Sequence, residues 1–472
     1  MKVLLAEAPY SYGINNIIIP KYFPLGLGYI ASVLKSKGFE VELLAGLSLW
    51  DFLSSFAKEL TNFQPRVVGI SAMTPSYPAA IRMARVAKEA VGAITVLGGN
   101  HATVCKDELI RQSEIDYVVC GEGEFTMLEL CQSLEQGRLG EKEISGLIHK
   151  VGGEIRITRP RPLYDHLDQI PFPARELVDL RRFGVHSYID FGQRKGISAS
   201  MITSRGCPFR CIYCSNSTTM GRRYRWHSPE YVISEIEMLR DKYGTRHIVF
   251  EDDVFTMNSE RVQELCARFK ERNIRVTWYA ISRVDAINDK LAIEMESSGC
   301  RMIAFGIESG NQEVLNKIKK GITLEQSRRA VAACHKAGIK TQTTFILGFP
   351  FENIKTMEDT LKFAIELSPT VAIFFPLTPY PGTEVWEYVK EEDRPKSFNE
   401  WERYVVTGRE PPVSLVEGLS PRQISGLTNY FHKRFYLRPK QIARIIRSCR
   451  SPQDMWNLGK AGIAMVLKTI AK

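Results

Sequence analysis

Three cysteines at short spacing are the part of the sequence best suited to chemistry. Cys207, Cys211 and Cys214 form a C-x3-C-x2-C pattern directly after an apolar segment. Three thiolates at this spacing can bind three irons of a cubane cluster and leave the fourth iron open to a substrate. Zinc with a fourth ligand is a competing interpretation, and three unrelated buried cysteines are another. Because the loop follows a predicted strand, where barrel enzymes hold their chemistry, we favour a [4Fe–4S] cluster.

Six βα units must position this loop. Helical patterns separate the predicted strands, for example Pro229–Tyr243 and Leu324–Ala337. Six units fit a partial barrel better than a closed eight-stranded one. The predicted strands are Ile197–Thr203, His247–Glu251, Arg275–Ala280, Met302–Gly306, Thr341–Leu347 and Ala372–Phe375.

A separate α/β unit precedes the barrel. Its strands alternate with amphipathic helices at Gly26–Lys37, Leu49–Asn62, Ala79–Val91 and Phe125–Gln136. This alternation predicts a doubly wound parallel sheet, whose ligands bind at the carboxyl ends of the strands. The predicted strands are Lys2–Ala6, Glu40–Ala45, Val67–Ser71, Thr95–Leu97 and Tyr117–Val119.

We therefore expect four regions along the chain. Residues 1–140 form the doubly wound domain, and residues 141–195 form a hairpin around Gly152–Gly153 followed by a proline-rich linker. Residues 196–385 form the partial barrel. Residues 386–472 form an irregular and then helical, basic C-terminal region.

The cysteine loop resembles that of the radical S-adenosylmethionine (SAM) superfamily, in which an aromatic residue, here Tyr213, precedes the last cysteine. The resemblance implies that SAM chelates the open iron and is cleaved by one electron to methionine and a 5′-deoxyadenosyl radical. It further implies an electron donor such as flavodoxin or ferredoxin.

Later segments resemble the SAM-binding positions of the same superfamily. They end successive predicted strands at 251–253, 281–285, 308–310 and 345–350, and 379–383 resembles the segment that closes the barrel. The resemblance implies carboxylate contacts to the SAM amino group, a guanidinium that pairs with the SAM carboxylate, and a carboxylate that accepts ribose hydroxyls. The implied SAM-binding residues are Tyr213, Asp252, Asp253, Arg283, Glu308, Ser309 and Gly348. No residue is assigned as a catalytic base.

The N-terminal domain resembles the cobalamin-binding domain that precedes some radical SAM barrels. The matching segments are 23–31, 68–71, 97–103, 119–124 and the linker 167–175. Glycines at strand ends let the backbone approach a flat macrocycle. Because D-x-H-x-x-G is absent, we expect base-off cobalamin without a histidine ligand; a degenerate domain without cofactor is the alternative. The implied cobalamin-binding residues are Pro24, Gly26, Ser71, Thr74, Gly98, Gly99, His101, Gly121, Glu122 and Gly123.

The resemblance implies a reaction class rather than a substrate. Methylation of an unactivated carbon in a small-molecule or lipid-like substrate is the favoured interpretation. Oxidative cyclisation, ring contraction and carbon–carbon coupling are alternatives. A tRNA methylthiotransferase would need more cluster ligands, for which Cys105, Cys120 and Cys131 are the candidates. A cobalamin-binding protein without enzymatic activity is a further alternative. Cys266, Cys300, Cys334 and Cys449 are expected to be structural.

Charge is concentrated at the C-terminus. The net charge of the chain is +10, and residues 433–472 carry ten basic side chains against Asp454 alone. Helical apolar patterns at Tyr430–Ile446 and Met455–Ile470 predict packing on the barrel, with peripheral contact to anionic lipid as a second interpretation. No nucleic acid partner is expected. The opening residues read as a strand, so we expect a cytoplasmic protein with reduced cysteines, possible membrane contact being limited to this tail.

Overall fold

Two mainly parallel sheets, each covered by helices, organise the chain. The computed structural model describes residues 1–9, 22–47, 51–138, 143–183, 197–406 and 411–448. The predicted fold class is confirmed: a doubly wound N-terminal sheet is followed by a six-stranded partial barrel and C-terminal helices. Leu49 and Trp50 of one predicted helix, Cys449, and the predicted helix Met455–Ile470 lie outside the described residues.

The first sheet has the strand order β2-β1-β3-β4-β5-β6-β7. Strands β1 to β5 are parallel, and the β6–β7 hairpin continues the sheet in the antiparallel sense from Tyr117–Val119. Central strands such as β1 are buried on both faces, as parallel strands between helix layers require. The strands are β1 Lys2–Glu7, β2 Glu40–Leu44, β3 Val67–Ser71, β4 Ile94–Gly98, β5 Tyr117–Val119, β6 Leu147–Val151 and β7 Glu154–Ile157. The helices are α1 Leu25–Ser36, α2 Phe52–Phe63, α3 Tyr77–Val91, α4 Asn100–Val104, α5 Lys106–Leu109 and α6 Gly123–Gln136.

The barrel sheet is parallel and open, with the order β15-β14-β13-β12-β11-β8. Its strands are β8 Ile197–Met201, β11 Thr245–Phe250, β12 Thr277–Ser282, β13 Cys300–Glu308, β14 Lys340–Leu347 and β15 Val371–Pro376. A two-stranded ribbon, β9 Ser204–Arg205 and β10 Arg225–Trp226, flanks the cysteine loop. The helices are α7 Asn216–Thr219, α8 Pro229–Tyr243, α9 Ser259–Glu271, α10 Asp289–Ser297, α11 Gln312–Lys317, α12 Leu324–Lys336 and α13 Ile354–Leu367.

Local sequence explains where the barrel helices begin and end. Helix α8 begins with Ser228, whose hydroxyl accepts a hydrogen bond from the Tyr231 N–H, and Pro229 occupies its first turn. It ends at Gly244, whose φ of 69° lies in the left-handed region. Strand β13 extends two residues beyond the predicted end, because the register shifts between Gly306 and Glu308 and carries the strand on to Glu308.

The carboxyl ends of the two sheets face each other. Helix α4 follows β4 and contacts α7, which follows the cysteine loop. One buried apolar cluster runs from α1 and α6 of the first domain into the barrel, whereas α2 and α3 pack on the opposite face of the first sheet. The two edges on which ligands are expected therefore lie close to each other.

The described part of the C-terminal region packs on both domains. Helix α14, Pro421–Tyr436, lies against β15, where the Tyr436 hydroxyl donates to the Ala372 carbonyl at 2.9 Å. Helix α15, Pro439–Ser448, follows it. Earlier, the 3₁₀ turn Phe398–Arg403 packs on Thr74–Ser76 and α3 of the first domain. This region thus joins the barrel edge to the N-terminal sheet.

Candidate active site

The cysteine loop lies between β9 and α7 at the carboxyl edge of the barrel. Gly206 has a φ of +84°, and a Cβ there would collide with the backbone carbonyl of Arg223, so only glycine fits. The Cys207 N–H donates to the Gly221 carbonyl at 3.3 Å, and the Ile212 N–H donates to the Ile318 carbonyl at 3.1 Å. These bonds hold both ends of the loop against the barrel.

The three thiols form a donor set suited to an iron–sulfur cluster. All three are partly exposed, and none of the described cysteines is in a disulfide. Burial raises the pKa of Cys207, and burial raises the pKa of Cys214 to about 11, so metal binding must displace protons. Among the described residues, no three His, Cys, Asp or Glu side chains form a single-ion site. Three thiols of one short loop are the donor type that iron–sulfur clusters use.

The two aspartates after β11 have different surroundings. Asp252 is buried and accepts hydrogen bonds from the Thr203 N–H at 3.1 Å, from the Thr203 hydroxyl at 2.8 Å and from the Ser204 hydroxyl. It therefore holds the base of the cysteine loop. Asp253 lies within electrostatic range of Cys207 and Cys214; burial raises its pKa, although the Asn216 side chain opposes the rise. Of the two, Asp253 is the one beside the cysteines.

Arg283 is occupied by partners within the barrel. Its Nε and Nη2 donate to Asp285 at 3.0 and 2.9 Å, and Nη2 also donates to the Lys320 carbonyl at 2.9 Å. The guanidinium carbon lies 3.4 Å from the centre of the Phe209 ring, inside the cysteine loop. In this arrangement Arg283 supports the cysteine loop and is not open to a carboxylate ligand through Nε and Nη2.

A buried ion pair lies beside the last cysteine. Lys320 Nζ is 3.0 Å from Glu308 Oε1 and 3.1 Å from the Tyr213 hydroxyl, and both charged side chains are 8% exposed. Glu308 has a φ of +74°, a strained conformation for a residue other than glycine. Gly306 leaves the space that the carboxylate and the ammonium fill. Sequence reasoning identified Glu308 and Tyr213 but missed Lys320.

The remaining SAM candidates line the ends of β13 and β14. The Ser309 hydroxyl is buried, lies 3.2 Å from the Thr360 hydroxyl and accepts from the Asn311 N–H at 3.1 Å. Gly348 has a φ of +107°, and its N–H donates to Glu352 at 2.8 Å. Burial raises the pKa of Glu352 to about 7. Ser309 therefore shapes the edge of the site through its hydroxyl, and Gly348 through its backbone.

A carboxyl and a phenol lie on the concave face of the barrel: Glu251, which the sequence placed in the SAM-related segment 251–253 without a role of its own, and Tyr279, which sequence reasoning missed. Tyr279 pairs in register with Val249, and Glu251 lies two residues further along, so all three share one face. The Glu251 Oε1 atom is buried and makes no hydrogen bond to a described residue. Burial, followed by the charge of Asp252, raises the pKa of Glu251 to about 7. Burial likewise raises the pKa of Tyr279.

The central cobalamin candidates form a tight corner of the first sheet. Gly99 has a φ of +98°, and a Cβ there would lie 2.6 Å from the Ala72 carbonyl, beside Ser71 and Gly98. His101 is fully buried, and its Nδ1 lies 3.3 Å from the Thr74 hydroxyl. Its ring lies 4.5 Å from Tyr77 and 5.0 Å from Trp401, measured between ring centroids. Burial lowers the pKa of His101 to about 3.

The other cobalamin candidates lie around α1 and α6. Pro24 caps α1; Gly26, in its first turn, and Gly121, with a φ of +74°, have no atom within 4 Å of an added Cβ. Gly123 instead packs against Ile30, and Glu122 is bound to arginines of the barrel. Gly26 and Gly121 thus have open space beside the backbone, whereas Gly99 and Gly123 serve packing.

Cysteines outside the loop have structural surroundings. Cys131 is buried inside α6, and Cys105, whose pKa burial raises to about 12, lies between α4 and α5. Cys300 lies within electrostatic range of Cys266 and Cys334, and all three are buried in the core.

Comparisons with known proteins agree with the geometry. Residues 201–364 match the family model of the radical SAM superfamily, and residues 20–131 match that of the B12 binding domain. The chain is 38% identical over 448 residues to an uncharacterized methyltransferase of Pyrococcus horikoshii, covering 94% of this chain and 95% of that one. It is 28% identical to the anaerobic magnesium-protoporphyrin IX monomethyl ester cyclase of Rubrivivax gelatinosus, covering 93% and 79%.

A solved structure has the same architecture. The radical S-adenosylmethionine methyltransferase TsrM from Kitasatospora setae, with cobalamin and a [4Fe-4S] cluster bound, aligns with a TM-score of 0.68 at 20% identity, covering 83% of this chain and 78% of that one. This likeness supports the fold alone. Together, the cysteine loop, the two matched domains and the full-length relative show that the chain is an enzyme of the radical SAM superfamily, in the group that carries a B12 binding domain and uses a [4Fe–4S] cluster, SAM and cobalamin.

Proposed function

We propose that the protein is a cobalamin-dependent radical SAM methyltransferase that acts on an unactivated carbon of a small-molecule or lipid-like substrate. The observation that carries the proposal is the arrangement of the two sheets, whose carboxyl edges lie close together where α4 contacts α7. A substrate in the space at these edges would lie between the cysteine loop and the open backbone at Gly121. The Pyrococcus horikoshii relative, which is named a methyltransferase, supports the reaction class.

The residues around this space have separable roles in the proposal. Cys207, Cys211 and Cys214 hold the cluster, which supplies the electron for SAM cleavage when it is loaded. Asp253 and Glu308 bind the SAM amino group and ribose. An external donor such as flavodoxin or ferredoxin reduces the cluster.

The concave face of the barrel combines apolar and polar side chains. Half-buried Ile281, Ile346 and Phe375 alternate with side chains that pack against the helices. Gln342 and Thr344 share the face of Ile346 on β14, and Tyr279 shares that of Ile281 on β12. Apolar side chains with interspersed polar groups are typical of small-molecule sites.

The reaction class can be tested by its small-molecule products. The reconstituted protein is incubated anaerobically with SAM carrying a deuterated methyl group, hydroxocobalamin, a reductant and a metabolite and lipid extract. We expect S-adenosylhomocysteine and 5′-deoxyadenosine to form together and the label to enter one extract component. A C207A/C211A/C214A variant should form no deoxyadenosine, and a C105A variant should match the wild type.

Oxidative cyclisation is the second candidate, and the similarity of the chain to the cyclase from Rubrivivax gelatinosus supports it. The same incubation separates the two reactions. Deoxyadenosine without S-adenosylhomocysteine, and with no label in the product, would support cyclisation or another radical rearrangement and would contradict methyl transfer.

We also propose that cobalamin binds base-off without a histidine ligand. His101 is enclosed by Tyr77, Trp401 and Thr74, so its ring is held in the core. The absorbance spectrum of protein loaded with hydroxocobalamin should be that of a base-off form, and a His101→Phe variant should give the same spectrum. A histidine-ligated spectrum that disappears in the variant would contradict the proposal.

A peripheral membrane contact would suit a lipid-like substrate in a cytoplasmic enzyme. No described helix is long and apolar enough to span a bilayer. On α15, Gln441 donates to the Thr370 carbonyl and Arg444 donates to the Pro369 carbonyl, which docks one face of the helix. Ile442 and Ile446 are 40% and 54% exposed on the other face. This face, with its flanking basic residues, is the described surface that would meet anionic lipid.

Co-sedimentation with phosphatidylglycerol vesicles tests this contact. A Lys440→Glu/Arg447→Glu variant should sediment less than the wild type at low salt, since each basic residue near an anionic surface contributes about 1 kcal/mol. A Lys290→Glu/Lys355→Glu variant has the same charge change on the barrel and should sediment like the wild type. Equal sedimentation of all three proteins would remove the membrane interpretation.

A further inference from the structure

A buried group of four charges joins the two cofactor-binding domains. Glu122 and Glu124 belong to the loop and first turn of α6, whereas Arg205 and Arg225 belong to the ribbon beside the cysteine loop. The four side chains are between 4% and 9% exposed. We call these four residues the interdomain ion cluster.

Arg205 is the central member of the interdomain ion cluster. Its Nη2 lies 2.8 Å from Glu124 Oε1, and its Nη1 lies 3.4 Å from Glu122 Oε1. Its guanidinium carbon lies 5.1 Å from the centre of the Tyr29 ring on α1. Burial alone would lower the pKa of Arg205, but the charges of Glu124 and Glu122 raise it. Arg205 thus contacts two separate elements of the N-terminal domain.

Arg225 completes the cluster from the opposite strand of the ribbon. It pairs in register with Arg205, and its Nη2 and Nη1 donate to Glu122 at 2.7 and 3.0 Å. Burial would raise the pKa of Glu122, yet the hydrogen bond with Arg225 and the two guanidinium charges lower it. Two carboxylates and two guanidiniums balance in charge, as buried ionic groups require.

The residues of the interdomain ion cluster are neighbours in sequence of both cofactor sites. Arg205 is two residues before Cys207, and Glu122 stands between Gly121 and Gly123 at the end of β5. We propose that Arg205 is a positioning residue that couples the Gly121–Glu124 loop to the cluster-binding loop, so that a change at one cofactor site is transmitted to the other. A fixed relative position would matter for a substrate held between both sites, and in this respect the inference rests on the proposed function.

Hydrogen exchange can measure the coupling without turnover. Full-length protein is compared anaerobically before and after cluster reconstitution with iron and sulfide, and deuterium uptake is read in peptides that cover 120–128. Reconstitution should slow exchange there about tenfold in the wild type, because ordering the cysteine loop also orders its partners. In an Arg205→Gln variant the change should fall below about twofold.

The buried pair Arg175–Glu235 provides a matched control. Arg175 and Glu235 are 0% and 1% exposed, and their side chains lie 2.7 Å apart. Arg175 also donates to the Ser200 carbonyl of β8 and lies over the Phe23 ring, but neither side chain is hydrogen-bonded to a described residue of the 121–124 or 207–214 loops. A Glu235→Gln variant should keep the wild-type response, even if it is less stable. If Arg205→Gln does not fold, a Glu124→Gln variant, which leaves Glu122 in place, should show an intermediate response.

Two results would overturn the proposal. The first is that reconstitution slows exchange in 120–128 as much in Arg205→Gln as in the wild type; if Arg205→Gln does not fold, the same result in Glu124→Gln counts. The second is that reconstitution does not change the exchange of these peptides in the wild type. Failure of the methyl-transfer proposal would appear instead in the turnover products and would leave this exchange response intact.

Discussion

Replacing Gly306 with alanine should weaken SAM binding without unfolding the barrel. A Cβ at position 306 would lie 3.1 Å from Lys320 Nζ and would collide with the carboxylate of Glu308. The carboxylate must move, and the backbone of Glu308, at a φ of +74°, has little freedom to follow it. In the proposed site Glu308 accepts the ribose hydroxyls, so the displaced oxygen no longer meets them.

The size of the effect follows from the bond that is lost. A hydrogen bond to a charged group contributes about 1.5–3 kcal/mol, which corresponds to a loss of SAM affinity of about 10- to 150-fold. Equilibrium dialysis of labelled SAM against the cluster-reconstituted protein measures it. A Gly426→Ala variant is the control, because Gly426 lies in α14 with no atom within 4 Å of an added Cβ. That variant should bind SAM like the wild type.

One result would refute this reasoning. If the Gly306→Ala protein is folded and binds SAM within about twofold of the wild type, Glu308 does not contact the bound SAM through a hydrogen bond of this strength. The SAM site would then have to be placed elsewhere along the barrel edge.

Three further predictions concern stability and are measured by urea or thermal unfolding. Glu308→Gly should be more stable than Glu308→Ala by about 1–2 kcal/mol, because only glycine adopts a positive φ without strain; equal stability would contradict this. Glu235→Gln should cost about 3–5 kcal/mol, because it leaves the fully buried charge of Arg175 unpaired; a loss under about 1 kcal/mol would contradict this. A hydrogen bond with Glu59, and then burial, raises the pKa of Glu42 from 4.5 to about 7. At pH values between these two pKa values the folded state binds a proton that the unfolded state has lost, so the free energy of unfolding decreases as the pH rises. A Glu42→Gln variant, which cannot titrate here, should not show this decrease between pH values of about 5 and 8.

The architecture could be predicted because its signals are local. Apolar runs and βα spacing identified strands such as Val67–Ser71 and Tyr117–Val119, whose bounds the structure matches. The cysteine spacing identified the loop, because three thiols within eight residues must lie close together whatever the rest of the fold is. The strands at both carboxyl edges could therefore be assigned from the chain alone.

The partners of each charged residue could not be predicted, because they come from distant parts of the chain. Arg283 matched a SAM-binding position, but Asp285 and the Lys320 carbonyl accept hydrogen bonds from its Nε and Nη2. Glu122 matched a cobalamin-binding position, but Arg225, 103 residues away, binds it. Lys320 gave no signal, because a single lysine after a helix is ordinary and only the fold brings it to Glu308.

The reduced enzyme's electron paramagnetic resonance spectrum, recorded with and without SAM, tests the central claim most directly. If Cys207, Cys211 and Cys214 are the only protein ligands of one cluster, the reconstituted wild type should show a [4Fe–4S] signal that shifts when SAM binds the open iron. The C207A/C211A/C214A variant should show no such signal. A wild-type spectrum that SAM leaves unchanged, or a cluster signal that persists in the triple variant, would contradict the claim.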